Sequence, residues 1–368
     1  MSTTEQYVNE IPLGSGSFIK EFFLEPDRSA PLPVKIDIPF QKDGATNKGE
    51  MDRLVQLYHA ERFVEVYGQK IPIIFEGAYP LSSISMTTIE GTFKPAARFE
   101  RAIGARRQRA LEGLLRAGGH DGRNVSVRDW QISDDKVSLI GQAMTYSQFR
   151  ATDAAQDAPL KPDDDSFPES TTLRDYVVVN GLESRKGTDL LSNLLGAAFI
   201  VRVKGQDDGD YFLLGRRRRR GRTNEGSDLT VIGGTPMWEK EYFGENGKAS
   251  VDFAGYMQKL GIDEHNEELL LHSDEIQVGQ AAYLVRSLVR VFDPFYTVDV
   301  DPGVTVEKIA ARCFGNEEAL KEHDRLYAIP RTHGGLQGLL QSGLVVNSGT
   351  IAGLYLDLEE SLSQKKKD

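Results

Sequence analysis

A run of arginines is the most unusual chemical feature of the sequence, where residues 215–222 read GRRRRRGR. Guanidinium groups match phosphate oxygens with paired hydrogen bonds, so the run predicts contact with a phosphate or with a nucleic-acid backbone. In a strand, Arg216, Arg218 and Arg220 would share one face and could reach one ligand together. The alternative is a solvated hairpin edge whose arginines pair with acidic loops.

Carboxylates are the second group of candidates. Glu239, Glu241 and Glu245 lie close together in the segment that follows Trp238, and they are candidate catalytic residues. Hard cations such as Mg²⁺ require several oxygen ligands in close geometry, which short-spaced glutamates can supply. Other short-spaced carboxylates are Glu264, Glu267, Glu268, Asp274 and Glu275. Plain surface charge is the alternative interpretation of all of them.

Glycines and histidines add weaker candidates. HGGLQG at residues 333–338 precedes an expected helix, whose first backbone N–H groups could take an anion. A helix entry that needs a flexible backbone explains the glycines equally well. The six histidines form neither HxH nor HExxH, and the sequence contains no GxSxG or GxxxxGK[ST] motif. One cysteine, Cys313, excludes an internal disulfide framework and a zinc site built on several cysteines.

Composition limits the class of protein. The 368 residues are 39% hydrophobic and 27% charged, which is typical of a globular chain of about two domains. The net charge of −11 disfavours general nucleic-acid binding, apart from the run at 216–222. No stretch approaches the length of a transmembrane helix and the N-terminus does not resemble a secretory signal, so we expect a cytoplasmic protein without a membrane partner.

Hydrophobic periodicity predicts alternating strands and helices, and therefore a mixed α/β fold. The predicted strands include a hairpin around Gly68 and a second hairpin joined by QDDG, together with residues 124–132, 136–149 and 295–300. The predicted helices cover residues 99–118, 249–262, 304–314, 334–343 and 351–362. Gly118 and Gly261 are expected to end the first two of these helices.

A change of composition suggests where the domains divide. Residues 151–170 are rich in aspartate and contain three prolines, with few large apolar residues. Such a stretch is typical of an exposed loop. We therefore predict an N-terminal mixed α/β domain of unknown role at 1–150, an acidic linker at 151–175 and a second domain at 176–368.

The second domain resembles the Nudix hydrolase superfamily over residues 188–361. FIVRVKGQDDGDYFLLGRR resembles the opening hairpin of the family, TVIGG resembles the strand that enters the Nudix box, and DFAGYMQKLGI resembles the box helix. The resemblance implies an αβα sandwich around a mixed sheet. It also places the arginine run, Gly233, Gly234 and His333 beside a ligand cleft, where they are expected to contact phosphate.

The same resemblance implies a degenerate box. The family pattern ends in Arg-Glu-hydrophobic-x-Glu-Glu-x-Gly-hydrophobic. Aligning that end on Leu260-Gly261-Ile262 places Gly255 at the first glutamate, and Gln258 and Lys259 at the glutamate pair. Because these side chains supply no carboxylate, we expect no metal at Gly255, Gln258 and Lys259.

These observations lead to three functional hypotheses. The first is a degenerate Nudix-like protein that binds a nucleotide or a nucleoside-diphosphate-derived ligand as a sensor or regulatory subunit. The second is an active hydrolase of such compounds with relocated carboxylates, which alone would need Mg²⁺ or Mn²⁺. The third is a structural subunit of a larger assembly. The expected partners are a nucleotide-like small molecule and either another protein or a second copy of the chain.

Overall fold

The structure is a computed structural model. It describes residues 8–13, 17–24, 63–116, 118–179, 182–183, 190–217, 229–245, 247–248, 250–287, 292, 294–344 and 346–365. No helix among these residues is long and apolar enough to cross a membrane.

The described residues form sixteen strands and nine α-helices. The strands are β1 (Val8–Pro12), β2 (Phe18–Phe23), β3 (Phe63–Val66), β4 (Gln69–Tyr79), β5 (Ile84–Thr92), β6 (Arg123–Ile132), β7 (Val137–Thr145), β8 (Val178–Val179), β9 (Leu182–Glu183), β10 (Ala197–Lys204), β11 (Asp210–Arg217), β12 (Leu229–Thr230), β13 (Ile232–Gly234), β14 (Ile276–Ser287), β15 (Phe295–Val300) and β16 (His323–Pro330). The helices are α1 (Glu100–Arg116), α2 (Tyr146–Ala151), α3 (Arg174–Val177), α4 (Lys240–Phe243), α5 (Phe253–Leu269), α6 (Val306–Cys313), α7 (Glu317–Glu322), α8 (His333–Gln341) and α9 (Ser348–Lys365).

Eleven strands form one large mixed sheet. Its order is β1-β2-β16-β11-β10-β15-β14-β4-β3, with β12 beside β11 and β13 beside β10. The β10–β15 pair is parallel and its other pairs are antiparallel. A second sheet, β5-β7-β6, combines a parallel and an antiparallel pair, and β8 pairs with β9. The predicted mixed α/β class is confirmed.

Helices cover both faces of the large sheet because alternate side chains of its strands point to opposite sides. On β10, Val201 packs in a cluster with Ile309 of α6, whereas the preceding residue Ile200 packs in a cluster with Leu339 of α8 and Leu354 of α9. The sheet is therefore buried between two helical layers.

Helix α5 lies between the two sheets. One buried cluster contains Met86 and Val125 of the small sheet, Phe253 and Met257 of α5, and Phe199 of the large sheet. This packing fixes α5 against β10, and it places the Glu264 side chain beside Gly234.

The predicted domain boundary at residue 150 does not coincide with the division of strands between sheets. Strand β2 pairs with β16, and β4 pairs with β14, so strands from both sides of the predicted boundary share the large sheet. The small sheet is confined to residues 84–145. Cross-strand pairing between segments so far apart in sequence has no local signature, and the two-domain organisation stays a prediction.

The expectation that residues 151–175 form an exposed linker is wrong for much of this segment. Leu160, Phe167 and Leu173 are buried in the same cluster as α5. Arg106 of α1 holds the segment by donating hydrogen bonds to Asp163 and to backbone carbonyls in it. Aspartates of this segment therefore pair with arginines or accept hydrogen bonds within turns. Composition alone does not distinguish such aspartates from solvent-exposed ones.

Candidate functional site

Helix α5 begins at a cap and runs further than the sequence suggested. The Asp252 carboxylate accepts the backbone N–H of Gly255 at 3.0 Å, which satisfies one of the free amides of the first turn. The helix passes through Gly261 and ends at Leu270, whose φ of 54° is left-handed. The prediction that Gly261 ends the helix is therefore wrong. A Cβ at Gly261 would lie 2.8 Å from Val278, so this glycine permits close packing on the sheet.

Three glutamates lie in the second half of the helix. Glu264, Glu267 and Glu268 follow an i, i+3, i+4 spacing, which places side chains near one helical face. The alignment that put Gly255, Gln258 and Lys259 at the ligand positions of the box stays a prediction.

The three glutamates have different surroundings. Glu264 is half-buried against β13, since a Cβ at Gly234 would lie 2.0 Å from its Oε1. Glu267 is exposed. Glu268 is buried, with 6% of its side chain accessible, and its Oε2 lies 2.5 Å from His323 Nε2. Glu267 therefore lies at the surface, Glu264 is partly covered, and Glu268 lies in the interior.

His323 fits tightly between α5 and the sheet. It is the first residue of β16, and 1% of its side chain is exposed. Its Nδ1 makes no hydrogen bond with any described residue. A Cβ on Gly215 of β11 would lie 2.3–2.7 Å from three atoms of the imidazole ring, so the ring packs directly on the glycine backbone.

The residues of the first half of α5 offer no carboxylate to a ligand. Gln258 is exposed, and Lys259 Nζ lies 2.8 Å from Asp263 and 3.3 Å from Glu239. The hydrogen bond with Asp263 raises the pKa of Lys259 above its ordinary value. A cation fixed in this way disfavours a metal ion close by.

The structure does not bring the predicted catalytic glutamates of the loop together. Glu239 precedes α4 and contacts Lys259, Glu241 is exposed, and Glu245 pairs with Lys240 at 2.8 Å on the surface. Within the described part of the chain, no three His, Cys, Asp or Glu side chains are grouped so that they could hold one metal ion.

The predicted phosphate-binding arginines are only partly within the described structure. Arg216 lies on β11, and its guanidinium donates two hydrogen bonds to the Asp324 carboxylate, one of them at 2.6 Å. Asp324 therefore already provides the paired contact that was expected from a phosphate. Arg218 and Arg220 fall outside the described residues, so their shared face with Arg216 stays a prediction.

His333 is the first residue of α8. Its Nδ1 lies 2.9 Å from the Tyr67 hydroxyl, and its Nε2 lies 3.5 Å from Glu359. The Thr332 hydroxyl accepts the Gly335 N–H at 3.0 Å, so the chain caps this helix itself. That cap occupies one of the amides expected to take an anion.

A cleft of roughly 440 Å³ lies at the ends of β10, β11, β14 and β15. Its wall contains three cations, each close to an acidic partner. Arg202 contacts Asp299, Lys204 contacts Asp210 at 2.8 Å, and Arg331 contacts Asp357 at 3.0 Å. Because these charges are already paired, the cleft does not identify an anionic ligand.

No family model matches the sequence, and no curated protein matches it. Among solved structures, the chain is similar to a Nudix hydrolase from M. smegmatis, RenU, with 11% sequence identity and a TM-score of 0.30. The similarity covers 46% of this chain and 87% of the RenU chain.

Proposed function

We propose that this chain is a Nudix-like protein that binds a nucleotide or a nucleoside-diphosphate-derived ligand beside α5, as a sensor or regulatory subunit, without the standard metal-dependent hydrolysis. The observation that carries the proposal is the burial of Glu268 and its hydrogen bond with His323. When the box of the resembled family is aligned on Leu270 in place of its glycine, its three glutamates fall on Glu264, Glu267 and Glu268.

Hydrolysis of a diphosphate by this family type needs a divalent cation to neutralise phosphate charge and to activate water. Glu264, Glu267 and Glu268 have the right chemistry, because Mg²⁺ and Mn²⁺ prefer carboxylate oxygens. Their arrangement does not fit one ion, since Glu268 faces the interior while Glu267 is exposed. Among the described residues, this geometry does not offer the three carboxylates together to one ion.

An active hydrolase is the second candidate, and one observation favours it. The box spacing is kept at Glu264, Glu267 and Glu268, and Leu270 has the left-handed backbone for which the pattern uses glycine. A rotation of the Glu268 side chain on ligand binding would be needed to complete the metal site. The direct test of this candidate is turnover.

The experiment is a calorimetric titration with ADP, ADP-ribose and UDP-glucose, with and without Mg²⁺ or Mn²⁺, with formation of the nucleoside monophosphate (AMP or UMP) measured in parallel. Binding without product supports the sensor, and product that is lost in Glu267→Gln supports the hydrolase. Glu318→Gln, an exposed change on α7, is the matched control and should leave both signals unchanged. If neither binding nor turnover is observed, both candidates are overturned in favour of a structural subunit.

A further inference from the structure

We infer that the rings of Tyr67, His333 and Tyr355 form an aromatic box that binds a trimethylammonium group, with the Glu359 carboxylate at its rim. Such a group occurs in small organic cations such as choline and in the side chain of trimethyllysine. The inference goes beyond the proposed function, because the aromatic box belongs to the turn between β3 and β4, to α8 and to α9, and it uses no residue of α5.

The three rings stand at right angles to one another, like the faces that meet at the corner of a box. Tyr67 and His333 have an interplanar angle of 78° and ring centroids 5.9 Å apart. Tyr355 makes an angle of 85° with Tyr67 and of 75° with His333, at centroid distances of 5.6 Å and 6.1 Å. A point that faces all three rings then lies about 4 Å from each centroid, within the roughly 6 Å over which a ring face attracts a cation.

Hydrogen bonds join the rings of Tyr67 and His333 at their edges. The Tyr67 hydroxyl lies 2.9 Å from Nδ1 of His333, and Nε2 of the same imidazole lies 3.5 Å from Glu359. A neutral imidazole with its hydrogen on Nε2 satisfies both contacts, because Nδ1 then accepts from the hydroxyl. Since the lone pair of a ring nitrogen lies in the ring plane, this hydrogen bond does not cover the face of the imidazole.

The turn that carries Tyr67 holds an unusual residue for its backbone conformation. Tyr67 and Gly68 connect β3 with β4 through a two-residue turn, in which both φ angles are positive, at 48° and 81°. Asparagine, aspartate and glycine are preferred in such turns, whereas a bulky side chain is uncommon there. Residues held in sparsely populated backbone conformations cluster at ligand sites, which supports a binding role for this ring.

The charge around the aromatic box favours a cation over a phosphate. Burial raises the pKa of Tyr355 above its ordinary value, and the carboxylates of Glu359 and Glu65 raise it further, so both carboxylates act on the ring. The Glu359 side chain is 50% exposed. Among the described residues, no lysine or arginine pairs with Glu359 or lies over the three rings. An incoming cation would therefore meet negative charge that the chain itself leaves unbalanced.

A second group of three aromatic rings in the chain already holds a cation. The guanidinium carbon of Arg98 lies 4.9 Å from the ring centroid of Tyr176, and it lies 5.6 Å and 5.8 Å from those of Phe99 and Phe167. Arg98 also donates a hydrogen bond to the Tyr176 hydroxyl at 3.1 Å. Because Arg98 fills this second group, Tyr176 provides a matched control for a tyrosine of the aromatic box.

The test is a titration of the full chain with choline and with the uncharged tert-butyl isostere of choline, followed by ligand-observed NMR. Choline should bind about tenfold or more tightly than the isostere, because the two have the same shape and differ in charge. Tyr355→Leu should weaken choline binding about tenfold, whereas Tyr355→Phe keeps the ring and should stay within about threefold of the unmodified chain. Tyr176→Leu should leave choline binding unchanged.

Folding of each variant is checked by circular dichroism. If Tyr355→Leu does not fold, Tyr67→Asn takes its place, because asparagine suits the turn, and it should also weaken choline binding about tenfold. A trimethyllysine peptide titrated beside choline identifies the source of the cation: tighter binding of the peptide indicates a protein partner, and equal or weaker binding indicates a small molecule. The inference is overturned if the isostere binds as tightly as choline, if the folded ring-removing variants bind like the unmodified chain, or if neither cation binds.

Discussion

The guanidinium groups of Arg202 and Arg331 share one buried carboxylate, since each donates its Nε–H to Asp357 at 3.0 Å. The Tyr283 hydroxyl donates to the same carboxylate at 2.9 Å, and the Asp357 side chain is 0% exposed. One residue of α9 thus fixes two strands of the large sheet.

The first prediction concerns this carboxylate. Asp357→Ala should lower the free energy of unfolding by about 3–5 kcal/mol, because it leaves two arginines without their shared partner in a mostly dry site. Urea denaturation measures the loss. Asp274 is exposed in the wall of the cleft that Arg202 and Arg331 also line, and Asp274→Ala should change the free energy of unfolding by no more than about 0.5 kcal/mol. Equal losses in the two variants would contradict the central role of Asp357.

The second prediction compares two adjacent glycines. A Cβ at Gly233 would lie 2.3 Å from the backbone oxygen of Ala197, whereas a Cβ at Gly234 would meet the carboxylate of Glu264. Backbone cannot move as a side chain can, so Gly233→Ala should destabilise the fold by about 1–3 kcal/mol and Gly234→Ala by clearly less. Thermal unfolding of both variants shows which one is less stable. A lower melting temperature for Gly234→Ala than for Gly233→Ala would refute the prediction.

The third prediction concerns pH. Two hydrogen bonds from Arg312, each 2.7 Å long, lower the pKa of Glu275 to about 2. The pair therefore stabilises the fold above the ordinary glutamate pKa, and this contribution disappears as the pH falls from about 4.5 to about 2. Water screens the pair at the surface, so its contribution is about 1 kcal/mol.

Glu275→Gln should accordingly be less stable than the unmodified chain at pH 7, and the difference should vanish near pH 2. Unfolding in urea across this range measures the difference. Glu318→Gln removes an exposed pair with Lys321 and should show little difference at any pH. A constant difference for Glu275→Gln between pH 7 and pH 2 would show that its charge is not responsible.

The fourth prediction tests the packed state of residues 151–175. The Asp153 carboxylate is buried and accepts the backbone N–H of Ser192 at 3.0 Å, the Ser192 hydroxyl at 2.7 Å and the backbone N–H of Asn193 at 3.0 Å. Asp153→Asn would turn an amide N–H₂ toward these donors and should cost about 1–3 kcal/mol. Asp165→Asn, at an exposed position, is the control; a similar loss in both variants would indicate a general charge effect.

Local patterns predicted much of the fold. Strand β15 and the hairpin of β10 and β11 lie where alternation and the QDDG turn indicated, and α1 ends before Gly118, whose φ of 78° suits a helix end. In these elements the residues that decide the structure are neighbours in sequence. The predicted strand at 136–149 was too long, because β7 ends at Thr145, where Thr145 and Gln148 form a capping box that starts α2.

The candidate site was harder to predict because it depends on contacts between distant residues. Nothing local to His323 or Glu268 indicates that they meet, and Leu270 is not a residue type that suggests a helix end. The glutamates of α5 were visible in the sequence, but the predicted helix ended at residue 262, before the first of them, whereas α5 continues to Leu269. The pairing of Arg216 with Asp324 likewise depends on β11 lying beside β16.

The pairing of β2 with β16 has a consequence for how the protein is made. Glu21 and Arg325, which pair across these strands, are 304 residues apart. At about 5–20 residues per second, a ribosome needs on the order of 15–60 s to supply the later strand after the earlier one. During that interval β2 exposes apolar side chains and unpaired backbone, so we expect the nascent chain to depend on chaperones and the large sheet to close late.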